Sequence, residues 1–294
     1  MRNVYFGYGR AASRWVLIAA FATVITVVSG EAGQTAQPAA PPKQPPSGPK
    51  PAPAGAKPSP AAKEKVAERA DLPSARSIID RYVKAIGGRA AILAHSSSHA
   101  TGTITMSGAE ITGVLDTYNA KPDKSVQKID LGGIGVVYEA FDGVHGWSVS
   151  PITGPMLTQG KELEEKKFDA DFYGDLHEEG RYTSMETVEK TTFEGRPCYK
   201  VSLVRKDGGE DIEFYDVETG LRAGATLTRE SQMGPVTVTQ VYSDYKKFGH
   251  LLLPTTMKQS AMGVDQLLKF TSIEFDTVSP SVFEPPAQIK ALIK

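Results

Sequence analysis

Cysteine is nearly absent: Cys198 is the only one in 294 residues. An internal disulfide is therefore excluded, and the fold must be held by burial. Long apolar runs are also missing. The longest uncharged one, Trp15 to Val28, has 14 residues, short of the about 20 that a membrane-spanning helix needs. No excess of one charge exists, since 33 Lys and Arg face 34 Asp and Glu. The balance is uneven along the chain: residues 1–71 carry nine basic and four acidic groups, and residues 72–294 carry 24 and 30. An acidic main part without a basic stripe argues against a nucleic-acid partner.

Motifs for chemistry are missing too. There is no His-Glu-x-x-His and no inverted form, and Leu176-His177-Glu178-Glu179-Gly180 lacks the second histidine. His95 and His99 are four apart, but they fall where a helix gives way to a strand, a poor geometry for a metal. Gly132-Gly133-Ile134-Gly135 and Asp207-Gly208-Gly209 join strand to strand. A phosphate cradle needs a following helix N-terminus, so both read as turns. No serine sits in a nucleophile elbow. The run Glu162, Glu164, Glu165 reads as the solvated face of a helix. The expectation is no catalytic residue, no metal, no cofactor and no enzyme.

What is present divides the chain into three. Residues 1–32 read as a signal peptide, with Arg2, Arg10 and Arg14 before the apolar run and Ser29, Gly30 and Ala32 after it; an uncleaved anchor is the alternative. Residues 33–70 are rich in proline, alanine and lysine and read as a semi-extended, disordered linker. Residues 71–294 have the patterning of one folded domain. Cys198 lies far from the cleavage region, so it cannot carry an N-terminal lipid, and it reads as a small buried hydrophobe in a strand.

Within the domain, Ile78, Ile79, Tyr82, Val83 and Ile86 form an apolar stripe at helical spacing, with Asp71 or Ser74 as cap and Gly87-Gly88 as terminator. A second amphipathic helix is expected over Lys161–Leu176, from Leu163, Phe168, Phe172 and Leu176. Pro151 to Gly160 reads as a loop. Elsewhere apolar and polar residues alternate with period two, as in Val236-Thr237-Val238-Thr239, the mark of half-buried antiparallel strands. Roughly ten or eleven strands and two covering helices result. A sheet that long curls into a half-barrel, giving an α+β, mainly β, fold with an apolar hollow.

Several stretches resemble the LolA/LolB-like superfamily of outer-membrane lipoprotein-sorting proteins. They are the helix Ile79 to Gly88, Lys121-Pro122-Asp123-Lys124, and Phe141-Asp142-Gly143 followed by Gly146-Trp147. Further on come Asp216 to Leu221, Asp244 to Gly249 with Leu253-Pro254, and Phe283-Glu284-Pro285-Pro286. The resemblance implies an open antiparallel half-barrel with helices in its mouth, holding acyl chains in the envelope of a Gram-negative-type bacterium. The candidate lining is Met106, Tyr138, Trp147, Met156, Leu157, Phe168 and Phe172, with an ordinary core role for these residues as the alternative. The partner is then a lipid or acylated protein, an envelope protein partner stays open, and the protein is expected to be monomeric. The alternative is a tethered interaction module, or an accessory domain of an exported peptidase system, with no lipid ligand.

Overall fold

The computed structural model describes residues 71–107, 111–231 and 234–293. The expected signal peptide and linker lie outside the described residues.

Helix α1 (Ala75–Ala85) begins where Ser74 Oγ accepts a hydrogen bond from the Ser77 amide. It ends at Gly87-Gly88, both with positive φ. The Gly88 amide donates to the Val83 carbonyl and the Gly87 amide to that of Lys84, a Schellman closure that satisfies carbonyls a helix end otherwise strands. Its stripe is buried, with Ile79 and Tyr82 at 1% exposure or less. Each such side chain contributes about 1.5–3 kcal/mol of transfer free energy. Helix α2 (Arg89–Leu93) adds one short turn.

Thirteen antiparallel strands then form a single sheet. They are β1 (Ser97–Met106), β2 (Ile111–Ala120), β3 (Lys124–Asp130), β4 (Val136–Phe141), β5 (Gly146–Ser150), β6 (Gly154–Thr158), β7 (Tyr182–Phe193), β8 (Arg196–Arg205), β9 (Glu210–Asp216), β10 (Arg222–Arg229), β11 (Val236–Phe248), β12 (Leu251–Ala261) and β13 (Val264–Phe275). The order is β6-β5-β4-β3-β2-β1-β13-β12-β11-β10-β9-β8-β7. Two meanders thus meet at the β1–β13 pair, β6 and β7 are the edges, and the sheet stays open. Turn chemistry explains much of the register. Met262-Gly263 joins β12 to β13, with Ala261 facing Val264 and both turn residues at positive φ. That is the two-residue geometry whose twist matches a hairpin.

Alternation assigns the faces. In β12, Leu251, Leu253, Thr255, Met257, Gln259 and Ala261 are buried while the residues between them are not. This buried side, on which α1 packs, is the inner face. On the outer face of β3–β6 lies the C-terminal segment with helix α4 (Ala287–Lys290). Its Phe283 and Ile289 cluster with Val126, Ala140 and Trp147.

Three expectations are corrected. The described residues hold thirteen strands rather than ten or eleven, and one of them, β6, occupies the stretch read as a loop. Among the described residues there are four helices, the two expected long ones and the short α2 and α4. The second long helix, α3 (Gly160–Asp169), stops seven residues early. The Phe172 amide bonds to the Pro122 carbonyl, and the Phe168 carbonyl that would have received it is taken by Arg181 Nη2 at 2.6 Å. Tertiary partners replace the helical ones.

Candidate functional site

The crossover of residues 159–181 runs from edge β6 to edge β7 and packs on the inner face with α1. Beneath it lies a group of buried ionic side chains. Asp211, on β9 and with no exposed surface, sits between two arginines. Arg205 Nη1 approaches its carboxylate at 3.2 Å and Arg229 Nη1 at 2.6 Å. Arg229 also makes a two-pronged contact with Asp169 of α3, at 2.9 and 3.0 Å. Arg205 Nη2 reaches Glu165 of α3 at 3.0 Å. Glu165 is only 4% exposed, so the acidic run of α3 is not wholly solvated. One of its three carboxylates points in and tethers the helix.

A second set lies nearer α1. Arg222 of β10 pairs with Glu213 at 3.2 Å and Asp175 at 3.0 Å, and its guanidinium stacks over Tyr82 and Tyr242. The Tyr82 hydroxyl donates to Asp175 at 3.1 Å. Glu213 is also approached by His177 Nε2 at 2.8 Å and by the Tyr215 hydroxyl. Arg76 of α1 donates to the His177 carbonyl at 2.9 Å. Together these contacts hold α1, the crossover and β8–β10 together.

Burial and pairing set the charges. Burial alone works to lower the Arg229 guanidinium, but the carboxylates of Asp169 and Asp211 outweigh it and hold the group protonated. Burial pushes the Glu165 carboxyl up, against the Glu230 amide and the two arginines. Burial likewise raises the Tyr82 and Tyr215 hydroxyls, which stay neutral hydrogen-bonding groups. Each of these carboxylates is bound to a guanidinium, and the set is closed in. It is an anchoring arrangement: breaking such a pair is costly because it leaves a buried charge uncompensated. The signal was present in the sequence as charged residues at inner positions of strands, such as Asp211 and Glu213 of β9.

Toward the β1–β13 junction the inner face changes character. Gln240, Gln259 and Gln266 stand side by side on β11, β12 and β13, each no more than 2% exposed. Next to them is an apolar cluster that includes Ile104, Met106, Leu115, Ile129, Val137, Met257 and Leu268. All its buried members come from strands or the β3–β4 turn, and no helix residue among those described joins it. None exceeds 9% exposure, so side chains fill this interior.

The seven expected lining residues do not share one place. Met106 belongs to the strand-walled cluster. Phe168 and Phe172 belong to the core beneath α1. Met156 faces inward by its pairing with Ser148 and through that with Glu139. Trp147 and Leu157 lie on the outer face under the C-terminal segment, and Tyr138, on that same face, is 36% exposed. His95 and His99 turn to different carboxylates, Asp276 and Asp116. Cys198 is fully buried in β8, as expected. Strands β11–β13 also border an open depression of about 550 Å³, whose charged members are Asp244, Lys246 and Lys269.

No family model matches the chain, and no curated protein matches it in sequence. Solved structures do. A DUF1329 family protein from Desulfovibrio piger ATCC 29098 is similar, with a TM-score of 0.51 at 14% identity, covering 71% of this chain and 97% of that one. A LolA superfamily protein from Nitrosomonas europaea gives a TM-score of 0.50 at 14% identity, covering 73% and 99%. At that identity the likeness shows the fold, and the fold is LolA-like.

Proposed function

We propose that this is an exported envelope protein that holds acyl chains of a lipid or acylated protein against the inner face of its half-barrel, without catalysing a reaction. The observation that carries the reading is the strand-walled apolar cluster at the β1–β13 junction, into which no helix of the described residues is inserted. α1 and the crossover cover the other half of the inner face, so an acyl chain has one apolar wall left to lie on. Entry requires side chains such as Met106 and Met257 to yield. Methionine suits that, being unbranched and able to repack around irregular apolar guests. Of the expected lining, Met106, Met156, Phe168 and Phe172 are on the correct face for this role.

The tightness of the interior supports a second reading. A filled half-barrel needs no ligand to be stable, as in a tethered module that binds a protein partner. Lipid extraction and native mass spectrometry of protein purified from the envelope of an expressing bacterium separate the two. Co-purifying acyl lipid is expected under the first reading. Absence of lipid, together with no saturable displacement of a bound naphthylamine probe by fatty acid, refutes it.

A further inference from the structure

The row of three buried glutamines is unevenly satisfied. Gln240 Nε2 donates to Gln259 Oε1 at 2.9 Å, and the Tyr242 hydroxyl donates to Gln240 Oε1 at 2.6 Å. Gln266 is 1% exposed, yet neither its Oε1 nor its Nε2 finds a hydrogen-bond partner among the described residues. Buried polar groups are nearly always paired, and an unpaired one is destabilising. A whole amide kept in this state marks a place where a partner arrives from outside.

Position supports this. Gln266 is the third residue of β13 and stands opposite Met106, the last residue of β1. It therefore lies at the rim of the sheet, beside the apolar cluster that would carry a chain. Its neighbours across the strands, Gln259 and Met106, carry no charge. An ionised carboxylate would find no counter-charge in either of them. The free set is one acceptor oxygen and two N–H donors. An ester accepts but cannot donate. A carboxamide does both and completes Gln266 as one amide completes another.

The geometry points to Gln266 as the head-group contact for an acyl chain that ends in a carboxamide rather than a carboxylate or ester. This rests on the acyl-chain reading above. Hexadecanamide and methyl palmitate would be compared as displacers of a bound naphthylamine probe, on the wild-type protein and on Gln266→Met. In the wild type the amide is expected to bind about five- to tenfold tighter, the worth of one or two hydrogen bonds. Gln266→Met is expected to abolish the preference, leave ester binding in place, and raise the urea midpoint by removing an unpaired amide. Equal binding of the two ligands by the wild type overturns the proposal and leaves the acyl-chain reading intact. So does a preference that survives in Gln266→Met. A wild-type preference is read without any variant, so misfolding of Gln266→Met would not decide the matter; Gln266→Leu then takes its place. If neither ligand displaces the probe, the acyl-chain reading falls and this proposal with it.

Discussion

Asp211→Asn removes one charge from the centre of the ionic anchor and almost nothing of its shape. Two guanidiniums, Arg205 and Arg229, then share a neutral amide where a carboxylate stood at 3.2 and 2.6 Å. Both arginines are at least nine-tenths buried, so water cannot compensate. Breaking a buried pair in this way costs about 3–5 kcal/mol. For a domain of this size the urea slope is about 3 kcal/mol/M, so the midpoint should fall by about 1–1.7 M. Equilibrium urea unfolding at pH 7, followed by circular dichroism, measures it. Glu189→Gln is the control, because the Lys200–Glu189 pair is largely solvated and should leave the midpoint unchanged within error. Arg229→Met is expected to be as damaging, and the double variant less damaging than the sum, since each single change leaves the other member of the pair uncompensated. A midpoint for Asp211→Asn within about 0.3 M of the wild type would refute the reasoning, as would exact additivity.

Two further outcomes follow from the same structure. Asp276 fastens the start of the C-terminal segment: its carboxylate accepts from the Ser96 amide at 2.6 Å and faces His95 Nδ1 at 2.8 Å. Burial pushes its carboxyl up, but the hydrogen bonds from His95 and Ser96 outweigh that and bring it down to about 2. A lowered folded-state value means stability that is present above the unfolded value, near 4, and is lost as pH falls through about 2. Asp276→Asn should therefore flatten the acid limb in that window and leave the limb above pH 5 unchanged. Trp147 fluorescence reads it, since the segment covers that ring. The Cys198 thiol, raised by burial, should resist a disulfide reagent in the native state and react only at the rate of unfolding; fast native labelling would contradict its placement.

Local pattern made much of the architecture legible. The α1 stripe, its Ser74 cap and its Gly87-Gly88 end were readable because each depends on neighbours within a few residues. The β strands were readable from period two, and β6 was missed because five residues containing Gly154 and Pro155 offer little alternation. α3 was overextended because the spacing of Phe168, Phe172 and Leu176 suits a helix. Only the competing partners Pro122 and Arg181, far away in sequence, end it at Asp169. The expected lining was the least legible part. Tyr138, Trp147 and Leu157 are apolar on one face of their strands, but alternation cannot say which face is inner when both are covered. The C-terminal segment covers Trp147 and Leu157.

The chain's own order of residues was enough to specify a long antiparallel sheet, its turns and a covering helix, since these answer to steric and solvation preferences acting over a few positions. It could not say where charge would be buried. Asp211, Glu213 and Glu165 look like surface residues until Arg205, Arg222 and Arg229 arrive from other strands to neutralise them. Nor could it show that Gln266 would be enclosed with no hydrogen-bond partner among the described residues. Both facts arise from pairing across distant segments in a space that excludes water, where the same groups carry energies that they do not have in solvent.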